Sequence, residues 1–399
     1  MHDSTRRSFL QAMGLGAAAL GLGQTARGEE KVIQGFEKAE TDTEASKHWR
    51  PVSDRKLRVG IAGYGVCRFG LAFGFQNHPN VTIAAVTDLD AGNRAELAKA
   101  CQCEETYASC EEMIKDDSLE AIFVATDAPS HGRLAIAALK AGKHVASAVP
   151  AVFGSLEDAD KLFEAVKTTG RKYMMFETSY FHAELHDMRE MYRAGDLGEL
   201  VYAEGEYYHY MDTPIPSYRG WRVGLPPQYY PTHSNAYFVG VTGGSFTEVS
   251  CMGMPSIVEH LRPENNGYKN PFGTEIALFR TDKGGMARMA VSWDTPGDSG
   301  ERGRIRAQKG SYYGKFQSGH GAQPDRPMIS RPPLPPGVEA GGHGGSHGYL
   351  MSEFVDAILA DRTPLVDVAQ SLNMTVSGIV AHQSAMKDGE LLKIPQYKL

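Results

Sequence analysis

The chain has 399 residues, a formal net charge of −7, and 42% hydrophobic against 22% charged residues. That length favours two domains, and the mild acidity argues against nucleic acid or an anionic membrane surface as the main partner. No run of about 18–20 apolar residues follows the N-terminus, so no span is expected in the mature chain.

In chain order, Arg6-Arg7-Ser8-Phe9-Leu10 precedes a Gly/Ala/Leu stretch from Ala12 to Gly23. Paired arginines ahead of a weakly hydrophobic core resemble a twin-arginine export signal. Residues 1–30 are therefore expected to be a processing segment, and the protein to be periplasmic. Residues 31–54 are polar and aperiodic, and read as a linker or an arm laid over a domain surface.

Leu57–Ala62 is a short apolar strand pattern that runs into Gly63-Tyr64-Gly65-Val66-Cys67-Arg68-Phe69-Gly70 and a helix-like apolar segment. The first glycine permits a tight turn and the second lets backbone approach a diphosphate. Arg68 stands where the third small residue is usual, and Gly70 is the candidate for the close helix–strand contact. A second strand, Val81–Thr87, ends at Asp88. An acid there accepts ribose hydroxyls and repels a 2′-phosphate, which favours NAD over NADP; capping the next helix is its other reading.

Ala121–Thr126 is another apolar strand, leading through Asp127-Ala128-Pro129-Ser130-His131 to an Ala/Leu-rich helix. Lys143–Ser147 is a further strand before Ala148-Val149-Pro150. Strand, loop and helix recurring with short connections predict a doubly wound α/β fold with a parallel sheet, ligands sitting at the carboxyl ends of its strands. From Gly198 the pattern alternates. Leu200–Tyr207, Thr274–Arg280 and Met286–Trp293 read as strands, the last two joined by Asp282-Lys283-Gly284-Gly285 as a hairpin. Residues 317–347 are Gly/Pro-rich and read as a long loop ending in Gly341-Gly342-His343-Gly344-Gly345-Ser346-His347. Helical periodicity returns over Tyr349–Leu359 and Val366–Met386.

Gly63-x-Gly65, Ala125-Thr126…His131, the Ala137–Val145 run and the Pro150 turn together resemble the Gfo/Idh/MocA family, across nearly all of residues 57–395. The resemblance implies an NAD(P)-binding Rossmann domain over 55–178. It implies next a substrate and oligomerisation domain over 179–365 with an open, mostly antiparallel sheet. A helix and tail over 366–399 would return to the first domain. It places cofactor contacts at Gly63, Gly65, Val66, Cys67, Asp88, Thr126, His131, Val149 and Pro150. It also implies a homo-oligomer formed through the open sheet.

The chain departs from the family's dehydrogenases where it matters chemically. They carry Glu-Lys-Pro where this chain has Ala148-Val149-Pro150, and Val149 cannot stabilise a developing alkoxide as lysine can. Val149-Pro150, Phe176-Glu177-Thr178-Ser179-Tyr180, Gly220-Trp221-Arg222 and Tyr230-Pro231-Thr232-His233, in this order, are similar to the NAD-dependent glycosidase branch, glycoside hydrolase family 109. The implied chemistry oxidises a sugar hydroxyl, eliminates the aglycone, adds water and reduces the ketone again. Tyr180 and His233 are the candidate acid and base. His182, Trp221, Arg222, Tyr230 and His347 are candidate carbohydrate contacts. Three functions stay open: a conventional NAD-dependent sugar dehydrogenase, a redox-neutral NAD-requiring glycosidase, and a catalytically weak carbohydrate-binding protein.

No metal site is expected. His182 and His186 stand four apart without an evident third ligand. Cys101-Gln102-Cys103 is too tight for a zinc knuckle. The five cysteines, with Cys67, Cys110 and Cys251, read as ordinary thiols with at most one disulfide.

Overall fold

Six short strands open the folded chain: β1 Leu57–Ala62, β2 Val81–Thr87, β3 Thr106–Tyr107, β4 Ala121–Val124, β5 His144–Ser147 and β6 Tyr173–Met175. They pair in the order β3-β2-β1-β4-β5-β6, every pair parallel. Ile61, Ile122, Phe123, Val145 and Met174 are fully buried, as strands covered on both faces require. The cover comes from α1 Phe69–Ala72, α2 Ala91–Cys101, α3 Cys110–Met113, α4 Ala128–Lys140 and α5 Leu156–Thr169. The computed structural model describes residues 46–318 and 327–399, so the expected export signal and most of the expected arm lie outside the described residues. The arm's last part is seen where Trp49 meets His78 edge-on, ring centroids 6.2 Å apart, and where Asn80 Nδ2 donates to the carbonyls of Ser53 and Arg55.

The apolar segment after the glycine turn differs from its sequence reading. It forms a single helical turn, α1, because Gly74 takes a left-handed conformation at φ 79 and a 3₁₀ turn follows over Phe75–Asn77. Gly70, inside α1, does make the close helix–strand contact.

A 3₁₀ turn over Thr178–Phe181 and helix α6 Ala183–Arg193 lead to the second sheet. Its strands are β7 Leu200–Tyr208, β8 Phe246–Pro255, β9 Phe272–Thr281, β10 Met286–Ser292, β11 Gly300–Ala307, β12 Gly310–Tyr313, β13 Lys315–Gln317 and β14 Leu392–Lys393. They order as β13-β12-β11-β7-β10-β9-β8-β14. β7 and β10 are parallel; the other pairs are antiparallel, including the expected β9–β10 hairpin.

One face of this sheet is covered by α7 Thr232–Thr242, whose residues from Thr232 to Val241 are all buried. On the other face, among the described residues, apolar side chains stay exposed. Met252, Met254, Ile276, Leu278 and Met286 are exposed there, beside a ladder in which Arg288 meets Glu206 at 2.5 Å and Glu204 bonds Arg304.

α8 His347–Leu359 and α9 Val368–Ala385 finish the helices. α9 touches both halves. Its Thr375 hydroxyl meets the Ala151 amide at 3.4 Å, its Met374 carbonyl takes Asn235 Nδ2 at 2.8 Å, and its Ser384 hydroxyl takes the Cys251 amide at 2.9 Å. All described residues belong to one compact unit. Among them no helix is long and apolar enough to cross a membrane. All five cysteines are free thiols, which corrects the allowance for a disulfide.

Candidate functional site

The carboxyl ends of β1, β2, β4 and β5 open into a cleft of about 1150 Å³ whose far wall comes from the segment 216–230. Gly63 turns at φ 107, and a Cβ there would fall 2.3 Å from the Ala125 carbonyl oxygen. At Gly65 a Cβ would meet nothing within 4 Å, so the backbone there faces open space. Asp88 closes the end of β2. Its Oδ2 accepts the Tyr64 amide at 2.6 Å and its Oδ1 the Asp90 amide at 2.8 Å. The carboxylate thereby shapes the glycine turn while lining the cleft. An open backbone cradle beside an acid at the end of the second strand fits the diphosphate and ribose of NAD.

Of the residues expected at the cofactor, Gly63, Gly65, Val66, Cys67, Asp88, Thr126, His131 and Val149 all line this cleft. Pro150 does not appear on its wall. Its carbonyl instead meets His131 Nδ1 at 3.0 Å, while His131 Nε2 meets the Thr126 carbonyl at 3.1 Å. His131 is thus a tie between two loops, and burial holds its pKa below the ordinary imidazole value. A neutral imidazole has one N–H for those two carbonyls.

Trp221, Arg222 and Tyr230 form the opposite wall. The Arg222 guanidinium lies 4.3 Å from the Trp221 ring centre and reaches Cys67 Sγ at 3.3 Å, bridging the second half of the chain to the glycine loop. Burial pushes the Tyr230 phenol up to about 12, although Arg222 draws it down.

Other expected site residues lie elsewhere. Tyr180, the candidate acid, is 1% exposed. Its ring sits under the Arg189 guanidinium at 4.0 Å, and its carbonyl accepts from Arg189 at 2.7 Å. Burial raises its phenol. The catalytic expectation for Tyr180 is corrected: it is a core tyrosine packed between α6 and Gly240 of α7. His347, expected at the substrate, is also buried. Its ring lies 4.2 Å from that of Phe73, and it bonds His343 Nδ1 at 2.9 Å. His182, expected at the substrate, does not line the cleft, and His186 four residues on points elsewhere. His186 bonds the Ser330 carbonyl and Arg189, and His182 turns to Glu301.

His233 stands one ring behind the cleft, its centroid 5.6 Å from that of Tyr230. It belongs to a buried polar group that the sequence did not display. Glu177 accepts His233 Nδ1 at 2.8 Å and the Ser179 amide at 2.9 Å. Glu301, from β11, accepts the hydroxyls of Thr178 at 3.0 Å and Ser179 at 2.6 Å. It also lies 3.5 Å from His233 and 3.2 Å from His182. Burial opposes the charge on His233, yet Glu177 and Glu301 outweigh it and hold the imidazolium up to about 9. Burial pushes Glu301 up, but His233 and His182 hold it below the usual carboxylate range. The Gly-rich segment adds His343, whose ring stacks 6.3 Å from that of His233 and which burial keeps well below its ordinary pKa.

Comparison with known proteins agrees with this arrangement. A family model described as "Oxidoreductase family, NAD-binding Rossmann fold" (GFO_IDH_MocA) matches residues 57–177. The chain is 24% identical over 387 residues to a glycosyl hydrolase family 109 protein of Solibacter usitatus, covering 86% of this chain and 88% of that one. A protein of the same description from Saccharopolyspora erythraea is 28% identical over 277 residues, 60% of this chain and 59% of its own length. The solved scyllo-inositol dehydrogenase of Lactobacillus casei, with bound NAD(H) and scyllo-inositol, superposes with a TM-score of 0.65 at 15% identity, covering 85% of this chain and 99% of that one. At that identity the superposition speaks for the fold alone. This chain therefore carries the NAD-binding Rossmann fold of the Gfo/Idh/MocA oxidoreductases and, over most of its length, is similar to glycosyl hydrolase family 109 proteins.

Proposed function

We propose that the protein acts on a sugar derivative by a redox-neutral cycle in which NAD stays bound and a glycosidic bond is cleaved. The observation that carries this reading is Val149 on the cleft wall, facing a second wall of Trp221, Arg222 and Tyr230. An apolar residue stands where a net dehydrogenase needs a cation beside the reacting hydroxyl. The opposite wall offers an aromatic plate, a donor fork and a phenol. Bound NAD supplies the hydride acceptor and donor.

The chain's own residues hold and orient. Trp221 packs on a sugar face and Arg222 donates to a ring or substituent oxygen. Tyr230 offers a hydroxyl that burial keeps protonated, so it serves as a donor. The similarity to glycosyl hydrolase family 109 proteins supports cleavage over net oxidation.

The test is incubation with aryl glycosides and with free polyols. Aglycone release without accumulating NADH is the expected result. Stoichiometric NADH from a polyol would make the protein a conventional dehydrogenase, and neither response would make it a carbohydrate-binding protein.

On the same proposal the protein leaves the cytoplasm through the twin-arginine route, supported by Arg6-Arg7 ahead of the apolar stretch, with its cofactor acquired before export. The apolar face around Met252, Met254 and Leu278 pairs with a second copy of the chain. Five exposed apolar side chains on one sheet face are the support for that pairing.

A further inference from the structure

Behind the cleft wall, three segments bring ligand-type side chains to one point. Glu177 follows β6, His233 sits in the first turn of α7, and Glu301 lies on β11. Oxygen and nitrogen atoms of Glu177, His233 and Glu301 all lie within 4.8 Å of one another. His233 Nδ1 is 2.8 Å from Glu177 and 3.5 Å from Glu301. Those spacings bracket the ~3.3 Å between ligand atoms that bonds of about 2.0–2.1 Å impose in a tetrahedron. His182 Nε2 lies 3.2 Å from the other Glu301 oxygen but outside this three-residue group.

Two further observations single this group out. The Glu177 side chain is 0% exposed, and its Oε2 has no hydrogen-bond partner. The other buried Glu–His pair, Glu275 with His382, differs. There one oxygen takes His382 at 2.7 Å and the other takes the Gln228 amide at 2.7 Å, so that carboxylate is complete within the protein. At Glu177 a buried acceptor is left over, a costly arrangement unless something else meets it. In addition, two buried carboxylates face the single proton-bearing Nδ1 of His233.

We propose that Glu177, His233 and Glu301 form a three-residue site for a divalent transition-type cation, with zinc as the first expectation. One imidazole with two carboxylates suits such an ion better than calcium, which takes six to eight oxygens. The ion replaces the Nδ1 proton of His233 and gives Glu177 Oε2 a partner. Thr178 and Ser179, already bonded to Glu301, orient that carboxylate from behind. The site lies one ring behind Tyr230, so its charge acts on the cleft without lining it. This inference goes beyond the glycosidase reading and does not rest on it.

The experiment uses the full-length protein without a histidine tag. Metal is measured in the purified protein by mass spectrometry. Metal-free protein is then titrated with Zn²⁺, and with Co²⁺ as a spectroscopic probe. The expected result is one zinc per chain, a visible d–d absorption with Co²⁺, and a rise in melting temperature on adding zinc. Glu301→Gln should weaken binding at least about tenfold. A Cys101→Ser/Cys103→Ser double variant should bind as the parent does. Absence of stoichiometric metal together with no Co²⁺ spectrum in the parent protein overturns the proposal, whether or not the variants fold. So does undiminished zinc affinity in a folded Glu301→Gln protein. None of these readouts needs NAD or a sugar, so failure here leaves the glycosidase test untouched.

Discussion

Gly70 lies so close to Gly63 that a Cβ added at Gly70 would fall 2.3 Å from the Gly63 carbonyl oxygen. The contact presses the helical turn α1 onto the glycine loop, with Ile61 as the floor at 3.0 Å. Backbone cannot yield there as a flexible side chain could. Gly70→Ala should therefore destabilise the fold by about 1–3 kcal/mol, as overpacking does, and should weaken NAD binding because the loop must shift. Thermal unfolding and a calorimetric NAD titration check both effects. Unchanged NAD affinity would mean that the loop is not the cofactor cradle.

Asp88 is the residue we propose sets the choice of coenzyme. Its carboxylate lines the cleft at the end of β2, where a 2′-phosphate would meet like charge. Asp88→Asn keeps an acceptor for one of the two backbone amides and removes the charge. NADP should then gain about tenfold on NAD, roughly 1.4 kcal/mol, measured as the ratio of the two dissociation constants.

Arg222 spans the cleft mouth to Cys67. Lysine keeps the charge but loses the planar fork and the stacking on Trp221. Arg222→Lys should weaken NAD binding about tenfold, or about 1.4 kcal/mol, with little change in melting temperature. Quenching of Trp221 fluorescence gives a direct readout.

Acid sensitivity should trace in part to His78, far from the cleft. Its Nδ1 accepts the Asn80 amide at 3.1 Å, its Nε2 is buried without a partner, and burial lowers its pKa to about 4. The unfolded chain takes up this proton near pH 6.5 and the folded chain only near 4. The stability that the neutral ring contributes is therefore present above the unfolded value and is lost as pH falls from about 6.5 to 4. His78→Gln removes that slope. Between pH 7 and 5 the variant should lose about 1–2 kcal/mol less than the parent in urea unfolding.

The apolar sheet face gives an assembly prediction. Leu278 is 48% exposed among Met252, Ile276 and Met286. Leu278→Arg should turn an oligomer into a monomer by light scattering while leaving the circular dichroism spectrum unchanged. A parent protein that is already monomeric would remove this face as the contact.

The strands β1, β2, β4 and β5, and β7, β9 and β10 of the second sheet, were readable from the sequence because their cues are local. Apolar runs at β1, β4 and β5, the glycine pair and Asp88 each announce themselves within a few residues, and the Lys283-Gly284 turn marks its hairpin. The family resemblance carried partly by those cues implied eight of the cleft-lining residues. The buried Glu/His group was not readable, because its members come from distant segments with no shared spacing. Glu301 sits in Gly300-Glu301-Arg302-Gly303-Arg304, which looks like a solvent-facing strand; only the path of β11 beside α7 turns that carboxylate inward. His343 hides among glycines for the same reason. Tyr180 misled because a 3₁₀ turn follows β6. Glu177 caps that turn by accepting the Ser179 amide, and Tyr180 then lies against α6 and α7 instead of the cleft.

The last strand pairs with β8 through Leu392 and Val249. A few residues on, the Tyr397 hydroxyl donates to Asp160 of α5 at 2.8 Å, and Tyr397 exchanges backbone bonds with the Asn373 side chain. The end of the polypeptide thus works as a latch fastened to both lobes at once. That latch and α9 both tie the lobes together. Tyr218 and Arg219 line the cleft between those ties, so trimming the terminal residues is the change expected to loosen the cleft's two walls from each other.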